Sequence, residues 1–122
     1  MPQELFLANP LDLVEQQLAA YNERNLDRFL DVFSEDIEVV RLPGTTPVLS
    51  GKAAFARFYA DNRFNLPGLR AEVVARLVAG NTVIDHETIH GIGDAPLEMV
   101  VIYGIEDNLI RRMWSMLPGG QP

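Results

Sequence analysis

An α+β fold, with helices first and a curved antiparallel sheet after them, is predicted by three observations on this 122-residue chain. Apolar residues recur at helical spacing in the first half, as in Leu11, Val14, Leu18 and Tyr21. From Leu69 onward the period switches to two, the spacing at which side chains alternate across a strand. Turn residues then cut the alternating half at Gly80-Asn81, Gly91 to Ala95 and Asp107-Asn108. Helices and strands segregated in this way belong to α+β architecture rather than to a parallel α/β sheet.

The first helix is expected to open at Asn9-Pro10, where a capping side chain precedes a proline at the first helical position and Asp12 favours the positive end of the helix dipole. A second helix starts near Asn25 and carries Leu26, Phe29, Leu30 and Phe33 on one face. Ile37 to Arg41 reads as a strand closed by the Leu42-Pro43-Gly44 turn. Ser50 is the expected cap of a third helix with Phe55, Phe58 and Tyr59 on its apolar face, broken by Asn65 to Gly68. Leu69, Ala71, Val73, Ala75, Leu77 and Ala79 then share one face of a strand, with Arg70, Glu72, Val74, Arg76 and Val78 on the other. Strands over Val83–His90, Leu97–Ile105 and Leu109–Leu117 complete a meander. One domain is expected over residues 1–122, with flexible ends at 1–8 and 118–122.

Composition narrows the function. No apolar run approaches the roughly 18 residues of a membrane span, and the start has no basic segment followed by an apolar one. The absence of cysteine removes disulfides, thiolate nucleophiles and cysteine metal ligands, and cytoplasmic localisation is the expectation. A net charge of −7 and a pI near 4.7 disfavour nucleic acid and anionic membranes as partners.

The string His86-Glu87-Thr88-Ile89-His90 matches the H-E-x-x-H of zinc peptidases, which works only on a helix, where histidines four apart lie about 6 Å from each other. On a strand the same spacing spans about 13 Å, too far for two imidazoles to share one ion. Thr82, Val83, Ile84, Thr88 and Ile89 are β-branched and glycines flank the run, so the expectation is a strand with no metal and no cofactor.

The run AAYNERNLDRFLDVFSEDIEVV, the GKAAFARFYA helix and the closing VVIYGIEDNLIRRMW together make the chain resemble the nuclear transport factor 2-like superfamily, which includes ketosteroid isomerases and SnoaL-like polyketide cyclases. The resemblance implies a cone of three helices packed on a strongly curved sheet (a cystatin-like roll), an apolar pocket in the concavity and a homodimer through the outer sheet face. It also implies that the isomerases' base, tyrosine and protonated acid are replaced here by Arg41, Gln17 and Val101, with a pocket tyrosine kept as Tyr59. An arginine and aspartate used by limonene epoxide hydrolases correspond to His86 and Thr88. Ile84, His86 and Thr88 are then expected to face the pocket, with Met99, Val101, Tyr103 and Met113, while Asp85, Glu87 and Ile89 face outward.

Two functions follow from that arrangement. One is an enzyme on a small, mostly apolar molecule, carrying out isomerisation, cyclisation or hydration with His86 as acid/base, since imidazole titrates near neutrality. The other is a ligand-binding or dimeric accessory module without turnover. With Arg41 standing where the isomerases carry an acid, the ligand is expected to bear an acidic group.

Overall fold

The computed structural model describes residues 9–118; the expected flexible ends, apart from Pro118, lie outside the described residues. Helix α1 (Pro10–Glu23) begins where expected: the Asn9 side chain accepts from the Leu11 amide at 2.8 Å, and Arg24 ends the helix in the left-handed region with φ 54°. Helix α2 (Leu26–Leu30) is capped by Asn25, whose side chain accepts from the Arg28 amide at 3.1 Å. Phe33, expected on that helix, instead opens strand β1 (Phe33–Arg41), because it pairs with Ile110 in the sheet and is fully buried there. Strand β2 (Pro47–Ser50) is an element absent from the sequence-based reading. Ser50 therefore does not cap helix α3 (Lys52–Asn62); it pairs with Glu38 in the sheet, and Gly51 at φ 89° makes the turn into the helix.

The meander strands are β3 (Arg70–Ala79), β4 (Thr82–His90), β5 (Leu97–Glu106) and β6 (Leu109–Met116). They form one six-stranded sheet in the order β2-β1-β6-β5-β4-β3, antiparallel throughout except for the parallel β1–β6 pair. The three helices pack on this curved sheet, as the sequence predicted. Between the two layers Phe29 lies 4.8 Å from Phe33, 5.8 Å from Phe55 in a stacked pair and 4.9 Å from Tyr59, centroid to centroid, so aromatic contacts add to the area buried. Among the described residues no helix is long and apolar enough to cross a membrane.

A bulge in β3, between Val73 and Ala75, decides which side chains enter the concavity. Before it Leu69 and Ala71 are buried, as expected; after it the added residue reverses the parity. Leu77, expected to share their face, is 60% exposed, while Arg76 turns inward opposite Asp85. The two-residue Gly80-Asn81 turn carries this register directly into β4. The expectation that β4 presents Ile84, His86 and Thr88 inward is corrected accordingly. Val83, Asp85, Glu87 and Ile89 are the buried residues, and Ile84, His86 and Thr88 belong to the opposite face. Gly91, at φ 94°, ends β4 where a Cβ would fall 2.4 Å from the Gly68 carbonyl carbon, so the chain needs glycine there.

Candidate functional site: a cavity with a buried carboxyl

The concave face of the sheet and the helices enclose a cavity of about 440 Å³, within the range of small-molecule sites. Gln17, Leu18 and Tyr21 reach it from α1, Phe58 and Tyr59 from α3, and Glu87, Met99, Val101, Tyr103 and Met113 from the sheet. Its wall is mostly apolar and aromatic. Of the residues expected at a ligand pocket, Gln17, Arg41, Tyr59, Met99, Val101, Tyr103 and Met113 line this cavity; Ile84, His86 and Thr88 do not.

Polar groups inside the cavity form a short chain. The Gln17 amide nitrogen donates to the Tyr103 hydroxyl at 3.1 Å, and that hydroxyl donates to Glu87 Oε2 at a long 3.4 Å. Glu87 is 5% exposed, and its carboxyl is pushed up to about 7. Burial is the larger cause, because the apolar surround penalises the charged form, and the nearby Asp85 adds to it. The Tyr103 hydrogen bond and the Arg76 charge pull in the other direction. Burial raises Tyr103 well above the ordinary phenol range and Tyr21 to about 12, so both stay protonated and able to donate at neutral pH.

Asp85 is fully buried but does not line the cavity. Arg76 grips it with two parallel bonds, Nε to Oδ1 at 2.6 Å and Nη2 to Oδ2 at 3.0 Å, and also pairs through Nη1 with Glu15 of α1. This fork fastens the first helix to the sheet beside Glu87. The pair lies on a row that crosses the sheet from Arg41 through Ser115, Val101 and Asp85 to Arg76. Arg41, at the far end of the row, is exposed and lines the opening, as does Arg63 after α3.

The H-E-x-x-H string lies on a strand, as predicted, and its histidines serve different partners. His86 Nε2 sits 3.1 Å from Glu98 Oε2, and His90 Nε2 sits 2.9 Å from Glu72 Oε1. The His90 bond, with Arg70 beside it, holds the Glu72 carboxyl below its ordinary range. Among the described residues no group of three or more His, Cys, Asp or Glu side chains is placed to hold a metal ion.

Glu87 and Arg63 are the charged cavity residues that sequence reasoning missed. For Glu87 the sequence carried only half of a signal: the two-residue turn puts Arg76 directly opposite Asp85, and alternation puts Glu87 on the same face, but nothing in that pairing says whether the face is the inner or the outer one.

Residues 14–113 match the SnoaL-like domain family. No protein among the curated ones matches the chain. Of solved structures, an uncharacterised cystatin-fold protein from Novosphingobium aromaticivorans superposes with a TM-score of 0.78 at 21% identity, covering 88% of this chain and 97% of that one. A candidate ketosteroid isomerase from Kribbella flavida gives 0.77 at 21% identity, covering 93% and 80%. A candidate polyketide cyclase from Sinorhizobium meliloti gives 0.73 at 19% identity, covering 85% and 93%. Likenesses at these identities establish the shared fold.

Proposed function

Because this chain belongs to the SnoaL-like domain family, we propose that its cavity binds a small, mostly apolar molecule and moves a proton on it, in an isomerase- or cyclase-type reaction. The observation that carries this reading is Glu87, a buried carboxyl poised at about 7 that lines the apolar cavity next to a hydroxyl donor. A group balanced between acid and base at working pH can take a proton from one atom and return it to another. Proton abstraction next to a carbonyl is the simplest such step: Glu87 Oε2 accepts the carbon-bound proton, and Tyr103, kept neutral by burial, turns its single hydroxyl proton from Glu87 to the substrate oxygen that gains charge. The protonated Glu87 then delivers the proton to another carbon of the same molecule. Gln17, donating to the Tyr103 oxygen, holds that hydroxyl in place. Glu87 thus takes the acid/base role that the sequence reading gave to His86, whose side chain is 37% exposed on the other face of the sheet.

Solvent exchange tests this without knowledge of the natural substrate. The protein is incubated in heavy water with a panel of apolar ketones and deuterium uptake is followed by NMR. Uptake is expected with the native protein and lost in Glu87→Gln. Equal uptake by both would remove Glu87 from the chemistry. Tight binding of ketones with no uptake by either would favour the second reading, a binding module without turnover. That reading draws on Glu87 being the one carboxyl among the described residues that line the cavity, so no second carboxyl among them assists it.

We also propose that the partner is a second copy of the chain, through the outer sheet face. With Asp85 and Glu87 turned inward, that face carries Leu77, Ile84, Ile102 and Trp114 in register across four strands, an apolar row suited to self-association.

A further inference from the structure

We infer that the mouth of the cavity, formed in part by Arg41 and Arg63, recognises an anionic end group, so that the ligand is an apolar molecule with an oxyanion at one end and its reacting, uncharged end toward Glu87. This deepens, and rests on, the small-molecule reading above.

The charge distribution is the first argument. The chain carries ten Lys and Arg against seventeen Asp and Glu, and carboxylates hold six of those ten cations: Arg28, Lys52, Arg70, Arg76, Arg111 and Arg112. The two cations that line the cavity are not among the six. The Arg41 guanidinium has no hydrogen-bond or ion-pair partner among the described residues, although the residue's backbone carbonyl accepts from the Gly44 amide at 2.9 Å. Arg63 donates to the backbone carbonyl of its neighbour Asn62 at 2.8 Å, lies 5.1 Å over the Phe58 ring and interacts with the Tyr21 hydroxyl, all of which leave its charge uncompensated. In a protein of net charge −7, carboxylates are abundant, and none stands against these guanidiniums. A bound oxyanion supplies what is missing, since the guanidinium fork matches carboxylate, sulfonate or phosphate oxygens in pairs.

Position sets the ligand's direction. Arg41 is exposed, whereas Glu87 is buried at the other side of the wall. On the sheet, Arg41 is three strands from Asp85, the neighbour of Glu87 on the same face, which is roughly 14 Å at ordinary strand spacing. Between them the wall is Val101, Met99 and Met113. An anion at the inner end would meet Glu87, a group that becomes negative itself; the other two charged residues of the lining, Arg41 and Arg63, are cations.

The test uses two fluorescent probes with one skeleton, 1-anilinonaphthalene-8-sulfonate and uncharged N-phenyl-1-naphthylamine, titrated into the intact protein. The native protein is expected to bind the sulfonate more tightly. Arg41→Gln combined with Arg63→Gln should weaken the sulfonate about tenfold or more and leave the neutral probe within about twofold. Arg111→Gln, which removes the same charge from a surface ion pair, should change neither. If Arg63→Gln disturbs packing on Phe58, seen as altered near-ultraviolet circular dichroism, Arg41→Gln alone carries the test and should weaken only the sulfonate. Equal affinity of the native protein for both probes, or an effect of Arg111→Gln as large as that of the pair, would overturn the anion mouth while leaving the small-molecule site standing. Failure of both probes to bind would overturn the two readings together.

Discussion

Tyr103 of β5 donates its hydroxyl to Oε2 of Glu87 on β4 inside the cavity, at 3.4 Å, and its ring is itself fixed by the Gln17 amide from α1. The carboxyl is therefore held by one hydrogen bond in a largely apolar surround, which is why desolvation dominates its titration.

Glu87 should make the fold less stable as pH rises. Below about 4.5 the carboxyl is protonated in the folded and the unfolded chain, and above about 7 it is ionised in both. Between those values only the unfolded chain releases its proton, so stability falls across the window, by about 3 kcal/mol for a shift of this size. Glu87→Gln has no proton to release and should gain on the native protein as pH climbs from 4.5 to 7. Denaturant unfolding at several pH values measures it, and a constant difference between the two proteins would refute the buried titration.

The Tyr103 hydrogen bond favours the charged form of Glu87, so losing it should raise the titration further. In Tyr103→Phe the midpoint is expected above the native value of about 7. Carbon-13 NMR of labelled glutamate carboxyls follows the group directly. A midpoint that stays or drops would show that the hydroxyl does not serve Glu87.

Arg76 and Asp85 should behave as a coupled pair. Arg76→Met leaves the fully buried Asp85 without its fork and should cost about 3–5 kcal/mol, whereas adding Asp85→Leu should recover a large part of that loss. A double-mutant cycle by chemical denaturation reads the coupling. Additive single effects would mean that the pair contributes nothing as a unit.

The apolar row on the outer face makes a further prediction. The native protein should run in light scattering at twice the 13.6 kDa of the chain, and Ile102→Lys, placing a charge between Ile84 and Trp114, should shift it toward one chain. A native protein already at 13.6 kDa would end the proposal.

The sequence by itself determined the three helices and the meander that follows them, though not strand β2, together with the cap at Asn9, the start of the second helix near Asn25 and the strand state of the H-E-x-x-H string. Those features rest on local chemistry: side chains that bond their own backbone, β-branched runs and turn residues. It also marked Gln17, Arg41, Tyr59 and Tyr103 as pocket residues, through likeness to a known fold. Only the tertiary structure decided which face of β4 enters the cavity, and with it the exchange of His86 for Glu87. Along that strand each face carries aliphatic and polar residues in similar measure, with Val83, Asp85, Glu87 and Ile89 on one side and Ile84, His86 and Thr88 on the other. Hydrophobic alternation therefore favours neither face, and a slip of one residue exchanges them. The choice was made by contacts distant in sequence: the bulge in β3 that turns Arg76 inward, and Glu15 on α1, which meets Arg76 there and holds a half-buried cation that the fully buried Asp85 faces.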